Sequence, residues 1–256
     1  MEPWRLRPAR DHGMTLGERF GSTRREPGLI EAIGHRVAGA LLAGHLRVWH
    51  RLRVTGREHL PTEAPFLLIA NHTSHIDALA LASLLPWRLR RTTYLLAAGD
   101  VFFESPARAL LSSVLLNALP MQRQRTVRHA LADLRTRLLE DGCGLVLFPE
   151  GTRSATGAMQ PFKAGLGMLV AGTGVPVVPC HIDGAFAAWP RTRRWPRPRP
   201  VHLRIGAPLR FPEVADDRDG WTNVAQRAEA AVRSLAPDAA GLDPSGRPGI
   251  TSPRRP

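Results

Sequence analysis

At 256 residues, 43% hydrophobic and 22% charged, the chain can bury a sizeable core in one domain with small attachments, which excludes global disorder. No uncharged apolar run reaches bilayer length, Met1 to Arg10 do not read as a signal peptide, and Cys143 and Cys180 alone exclude a disulfide framework, as suits a reducing cytoplasm. A formal net charge of +13 calls for an anionic counterpart (nucleic acid, an anionic membrane surface or a phosphorylated substrate), and a single lysine, Lys163, stands among the 35 basic residues.

Residues 1–27 mix Pro, Gly, Arg and Glu without period and are expected to form a disordered arm. Across 28–50, Leu29, Ile33, Val37, Leu41 and Val48 recur at helical spacing, with Glu31, His35, Arg36, His45 and Arg47 mostly off that line. This N-terminal amphipathic helix has two readings: packed on the domain, or lying at a bilayer surface with Trp49 near the interface. From 51 to 236 the chain alternates. Phe66 to Ala70 reads as a buried strand, His75 to Leu85 as a helix, and Thr92 to Ala98 as a second strand. Ser105-Pro106 has the form of a cap and first turn opening an apolar helix to Leu116. Val127, Leu131, Leu134 and Leu138 make a helical stripe ended by Gly142, and Gly144 to Phe148 reads as a strand.

A short helix is expected after Lys163, stopping near Gly172 and Gly174. Val175 to Ile182 reads as a strand, and Pro176 and Pro179 point to an edge or bulged position. Val201, Leu203 and Ile205 alternate with His202 and Arg204 as a half-exposed strand, Thr222 to Leu235 forms a last helix, and 237–256 is a disordered tail. The alternation predicts an α/β fold: a mostly parallel central sheet flanked by helices, with the N-terminal amphipathic segment attached.

Two segments carry chemistry, each directly after a buried strand, where active groups of open α/β sheets collect. In Asn71-His-Thr-Ser-His-Ile-Asp77, His72 and Asp77 lie on different faces of a continuous helix, but at a strand-to-helix turn they can fold onto each other. The carboxylate then fixes the imidazole tautomer and leaves the other nitrogen to take a proton from a hydroxyl. The bland alternative makes Asp77 a first-turn helix residue. In Phe148-Pro-Glu-Gly-Thr-Arg-Ser154, Gly151 permits a tight turn with free N–H groups, and Thr152 and Arg153 add donors suited to a phosphate. An ordinary loop with a Glu150–Arg153 pair is the alternative. Lys163 at a helix start opposes the helix dipole, which points to an anionic neighbour.

Together these segments resemble the glycerolipid acyltransferases, the 1-acylglycerol-3-phosphate acyltransferase family. Asn71-His72-x-Ser74-x-x-Asp77 resembles its His-x4-Asp signature, Phe148 to Ser154 its third motif, Phe162-Lys163-x-Gly165 the segment after it, Val175-Pro-Val-Val-Pro179 its fourth motif and Ile205-Gly-x-Pro-Leu209 its closing strand. The order of the set, from Val54 to Arg210, makes the signal specific. The resemblance implies that His72 is the general base and Asp77 its orienting partner, and that Glu150, Gly151, Thr152 and Arg153 bind the glycerol phosphate of the acceptor. It implies a phosphate-binding arginine in Leu119-Pro-Met-Gln-Arg123, which departs from the family pattern; Arg123 is nominated, with Arg125 or Arg128 as substitutes. The implied reaction moves a fatty acyl group from acyl-CoA or acyl carrier protein to a lysophospholipid hydroxyl, lysophosphatidate by default, with no cofactor and no metal. No Gly-x-Ser-x-Gly elbow supplies a nucleophilic serine.

The implied place is the cytoplasmic face of the cell membrane, held peripherally on anionic lipid. Arg191-Thr-Arg-Arg-Trp-Pro-Arg-Pro-Arg-Pro200 reads as a headgroup-binding loop or a solvated insertion. The apolar run Ala78 to Leu85 and the stretch around Leu110, Leu111, Val114 and Leu115 read as core or as walls for an acyl chain. Two rivals remain: a metal hydrolase with His72, His75 and Asp77 as ligands, against which His129, His181 and His202 are scattered singly, and a nucleic-acid-binding protein, against which the single tyrosine and eight phenylalanines give little stacking platform.

Overall fold

The computed structural model describes residues 29–98, 118–121 and 127–237. The expected arm, the tail beyond 237, the helix from Ser105 to Leu116, and Arg123 and Arg125 lie outside the described residues.

Among the described residues, eight strands form one sheet. In chain order the elements are α1 (Leu29–Trp49), β1 (Arg53–Thr55), β2 (Phe66–Ala70), α2 (His75–Leu84), α3 (Trp87–Arg90), β3 (Thr93–Ala98), β4 (Ala118–Met121), α4 (Val127–Glu140), β5 (Gly144–Leu147), α5 (Gly165–Val170), β6 (Thr173–Asp183), α6 (Ala185–Ala188), β7 (His202–Ile205), β8 (Leu209–Phe211) and α7 (Arg218–Ser234). The sheet order is β1-β7-β6-β2-β5-β3-β4, with β8 also pairing β6. Strands β6, β2, β5, β3 and β4 run parallel, and β7 and β8 lie antiparallel to β6.

Strand β2 is central because its sequence is apolar on both faces, as a strand covered by two helical layers must be. Phe66, Leu68 and Ala70 face one layer, where Ile76 and Leu81 of α2 and Leu42 and Leu46 of α1 pack. Leu67 and Ile69 face the other, with Leu131, Leu134 and Leu138 of α4, Leu166 and Leu169 of α5, and Val224, Ala228 and Val232 of α7. All five β2 residues are fully buried. Truncating Leu68 to Ala would cost about 2–5 kcal/mol from lost transfer energy and the cavity left behind. The run Ala78 to Leu85 belongs to this core, with Leu81 inaccessible to solvent.

Of the two alternatives for strand β6, the edge is corrected, since the strand sits between β2 and β7, and the bulge is met, with a register shift between Thr173 and Val177. Its prolines are accommodated because Pro176 falls within the register shift against β8, and the Pro179 carbonyl accepts from Gly206 N where β8 hands over to β7. On α1 the described part of the predicted stripe, Val37, Leu41 and Val48, is not the face that packs on the domain. Leu42 and Leu46 make the core contact, at 8% and 1% exposure, whereas Val37, Leu41 and Val48 turn outward at 56%, 70% and 80%. The sequence also left β1, β4, β8, α3 and α6 unread, all of four residues or fewer. α7 starts earlier than expected because the Asp217 side chain caps it, accepting from Gly220 N at 2.8 Å.

Candidate active site

Strands β2, β5 and β6 run parallel and therefore finish at the same edge of the sheet. β6 outlasts β2 there, and the Asn71 side chain replaces the missing rung: its Nδ2 donates to Ile182 O at 2.9 Å and its Oδ1 accepts from Ile182 N at 2.8 Å. The residue after it, His72, is thereby carried on a fixed backbone.

Ser74 then ends the turn as the N-cap of α2, its hydroxyl accepting from Ile76 N. Because the helix begins only at His75, Asp77 lies in the first turn and its carboxylate reaches back over the loop. Its Oδ2 accepts from Thr73 N at 2.6 Å and Ser74 N at 2.7 Å, and lies 3.1 Å from His72 Nδ1. The helix-cap reading of Asp77 and the histidine-partner reading are therefore both realised by one oxygen. Asp77 is fully buried, while the His72 side chain keeps 16% exposure. With Nδ1–H directed to the carboxylate, Nε2 is the basic nitrogen. Phe148 stacks on the imidazole, with ring centroids 3.9 Å apart and planes 13° apart.

The loop after β5 is knitted to the same turn. Glu150 Oε1 accepts from His72 N at 2.7 Å and Oε2 from Gln160 N at 3.1 Å, and Ser154 N donates to His72 O at 2.8 Å. His72 is thus held through its own amide and carbonyl. Glu150 is 2% exposed, and burial raises its pKa against the opposing pull of those N–H bonds. Both Glu150 oxygens are engaged by backbone amides, so the carboxylate clamps the loop to the His72 turn. It does not pair with Arg153.

Gly151, Thr152 and Lys163 are exposed and Arg153 is half-buried. Gly151 takes φ 73°, and a Cβ there would lie 2.6 Å from Lys163 Nζ, so the ammonium group rests over the turn only because the residue is glycine. Lys163 N donates to Pro149 O at 3.0 Å, which fixes the start of that segment. Arg153 Nη1 donates to His75 Nε2 at 2.5 Å, and the His75 ring packs on Trp189 with centroids 5.0 Å apart. Burial first, then the charges of Arg153 and His72, push His75 down to about 4, so it is neutral and able to accept. Burial and the charge of Arg191 lower the pKa of Arg153, against the pull of Asp77.

Of the residues nominated from sequence, His72, Asp77, Glu150, Gly151, Thr152, Arg153 and Lys163 gather at this edge, whereas Arg128 lies over the Trp221 ring at 5.8 Å. His75, weighed only as a metal ligand, turns to Arg153; among the described residues no group of three His, Cys, Asp or Glu side chains could hold a metal ion. Cys143 and Cys180 are buried, their thiols pushed up to about 11 and about 12 by burial. The arrangement offers an oriented base beside a glycine turn with two cations, which can deprotonate an alcohol and hold an anion next to it.

The family described as Acyltransferase matches residues 51–183, more than half of the chain. The chain belongs to the acyltransferase family. The acyltransferase region runs from just after α1 through the end of β6 and so contains both loops of the site. The chain is 25% identical to a 1-acyl-sn-glycerol-3-phosphate acyltransferase of Cocos nucifera over 69% of this chain and 56% of the relative. It is 32% identical to the 1-acyl-sn-glycerol-3-phosphate acyltransferase alpha of Homo sapiens over 50% and 44%, respectively. The chain spans about half the length of the relatives it matches. The crystal structure of the 1-acyl-sn-glycerophosphate (LPA) acyltransferase PlsC from Thermotoga maritima superimposes with a TM-score of 0.60 at 24% identity, covering 78% of each chain. This likeness establishes the acyltransferase's fold as the α/β architecture expected from its alternating strands and helices.

Proposed function

We propose that the protein is an O-acyltransferase that moves a fatty acyl group from a thioester carrier, acyl-CoA or acyl carrier protein, to the free hydroxyl of 1-acylglycerol-3-phosphate, giving phosphatidate. The observation that carries the reading is the convergence of Thr73 N, Ser74 N and His72 Nδ1 on one oxygen of Asp77, within the same corner as Gly151, Arg153 and Lys163. The names of the relatives support the acceptor.

In the proposed reaction His72 Nε2 takes the hydroxyl proton as that oxygen attacks the thioester carbonyl. A C–O bond forms, the C–S bond breaks, and the proton passes from His72 to the departing thiolate. Asp77 holds the imidazole in the required tautomer and offsets its positive charge. The thioester is already activated, so no covalent enzyme intermediate is needed. Gly151, Thr152, Arg153 and Lys163 hold the phosphate, which fixes the neighbouring hydroxyl against the base; such positioning supplies much of the rate when two substrates must meet. Glu150 contributes through the His72 backbone. Cofactor and metal have no part in these steps.

The site works on a bilayer substrate, and the outward stripe of α1 (Val37, Leu41 and Val48) supports peripheral attachment to an anionic membrane at its cytoplasmic face. The end of the arginine-rich loop lies beside the end of that helix, with Val201 N donating to His50 O, and Trp195 is 71% exposed among Arg193, Arg194 and Arg197. No described helix is long and apolar enough to cross a membrane.

The test is acyl transfer from labelled acyl-CoA, and from acyl carrier protein, to a panel of lysophosphatidate, other lysophospholipids and neutral monoacylglycerol. Preferential transfer to lysophosphatidate is expected; equal transfer to the neutral alcohol would overturn the phosphate assignment.

A further inference from the structure

The mechanism leaves His75 without a task, although it stands in the middle of the site. It lies between the two residues of the catalytic pair in sequence, but its ring faces away from Asp77 toward the loop after β5. Two contacts, and a tie that anchors one of its partners, fix it there. Its Nε2 accepts from Arg153 Nη1 at 2.5 Å, its ring packs on Trp189 with 5.0 Å between centroids, and Trp189 is itself tied to the same turn because Ser74 Oγ donates to Trp189 O at 2.8 Å. Trp189 Nε1 in turn donates to Arg193 O at 3.0 Å, which anchors the arginine-rich loop to this wall. A guanidinium on a long side chain has considerable rotamer freedom to lose. Engaging one nitrogen in advance removes much of that loss and leaves the other N–H groups for a ligand.

We propose that His75 is a positioning residue that aims Arg153 at the phosphate of the acceptor, acting through its unprotonated Nε2 and through Trp189. This deepens the proposed function and rests on its assignment of a phosphomonoester to the Gly151–Arg153 turn. A carboxylate at position 75 would serve as a stronger acceptor, but it would also neutralise the cation; a neutral imidazole orients the guanidinium and leaves its full charge for the phosphate. Burial and the charges of Arg153 and His72 keep His75 in that neutral form above about pH 4. The cluster needs the turn between β2 and α2, the loop after β5 and the segment after α6 at once, so substrate grip and catalytic pair share one scaffold.

The experiment pairs binding with turnover in wild-type protein, His75→Gln, His75→Phe, Arg153→Ala and the His75→Phe/Arg153→Ala double variant. Calorimetry reads the affinity for glycerol 3-phosphate, and kinetics read KM and kcat with lysophosphatidate and with monoacylglycerol. Loss of one hydrogen bond to a charged group corresponds to about a ten- to hundredfold weaker grip. His75→Phe should weaken glycerol 3-phosphate and raise KM for lysophosphatidate by roughly tenfold, with kcat for monoacylglycerol within about twofold of wild type. His75→Gln, whose amide oxygen is a neutral acceptor, should recover most of the affinity. The double variant should bind no more weakly than Arg153→Ala. The proposal is overturned if His75→Phe binds glycerol 3-phosphate as wild type does, if it slows both acceptors equally, or if its effect multiplies with that of Arg153→Ala. Binding that follows the expected pattern in a protein that acylates no acceptor would overturn the acyltransfer reading and leave the role of His75 standing.

Discussion

The two loops that meet at the carboxyl edge of the sheet are built in opposite ways. The turn after β2 is densely bonded: Asp77 Oδ2 has three partners while its buried Oδ1 has none among the described residues, the His72 amide and carbonyl are both engaged, and Asn71 is tied at both ends of its amide. The turn after β5 buries its glutamate as a clamp but leaves Gly151, Thr152 and Lys163 at the surface. The contrast separates two requirements. A base must hold one tautomer and one orientation before substrate arrives, whereas an anion receptor must keep donors unspent until the ligand supplies the acceptor. Glu150 belongs to the first requirement although it sits in the second loop.

Variants on either side of that division should behave differently. The largest expected effect is His72→Ala, with kcat down about hundredfold or more for every acceptor, as general-base removal gives, and an unchanged circular-dichroism melt. Next comes Glu150→Ala, which frees two part-buried N–H groups; we expect roughly 1–3 kcal/mol of lost stability by denaturant titration and a fall in kcat shared by phosphorylated and neutral acceptors. If only phosphorylated acceptors suffered, Glu150 would belong to the receptor after all. Lys163→Ala should cost less, about threefold to tenfold in KM for lysophosphatidate, with little change in kcat and none in stability, since its ammonium group is exposed. Smallest for solution chemistry is the Val37→Asp/Leu41→Asp pair on α1. It should leave turnover of detergent-dispersed substrate intact and weaken cosedimentation with anionic vesicles about tenfold or more, because each apolar side chain loses roughly 1.5 kcal/mol of burial in lipid. Undiminished cosedimentation would take the membrane role away from this stripe.

Much of this division could be read in the sequence, and what could not has physical causes. The apolar runs Phe66 to Ala70 and Gly144 to Leu147 marked strands buried on both faces, and the segments behind them held the residues that gather. The pairing of His72 with Asp77 followed from a turn that lets a first-turn carboxylate fold back. The clamp made by Glu150 was not legible because an acid beside Gly-Thr-Arg gives no local sign that its oxygens will meet the amides of Gln160 in the same loop and of His72 at the neighbouring strand end. The partners of His75, weighed in the sequence only as a metal ligand, were not legible for a like reason, since Arg153 comes from the loop after β5 and Trp189 from the end of α6. On α1, periodicity alone does not say which of two apolar faces meets the core: Leu42 and Leu46 took that role, and Val37, Leu41 and Val48 face outward. The prolines of β6 pointed to an edge or a bulge, and the bulge is what the strand has: it changes partners there, so no continuous ladder crosses Pro176.

The account stands on His72 and Asp77 acting as one unit, and a kinetic cycle tests that most directly. Single-turnover acyl transfer to lysophosphatidate would be measured for wild type, His72→Ala, Asp77→Asn and the double variant, with folding checked for each. Residues that act as a unit are strongly non-additive. We predict that Asp77→Asn slows the wild-type enzyme about hundredfold or more, yet slows the His72→Ala enzyme by no more than about twofold. If the two losses multiplied, or if Asp77→Asn left the rate unchanged while His72→Ala abolished it, the carboxylate would not be serving the imidazole.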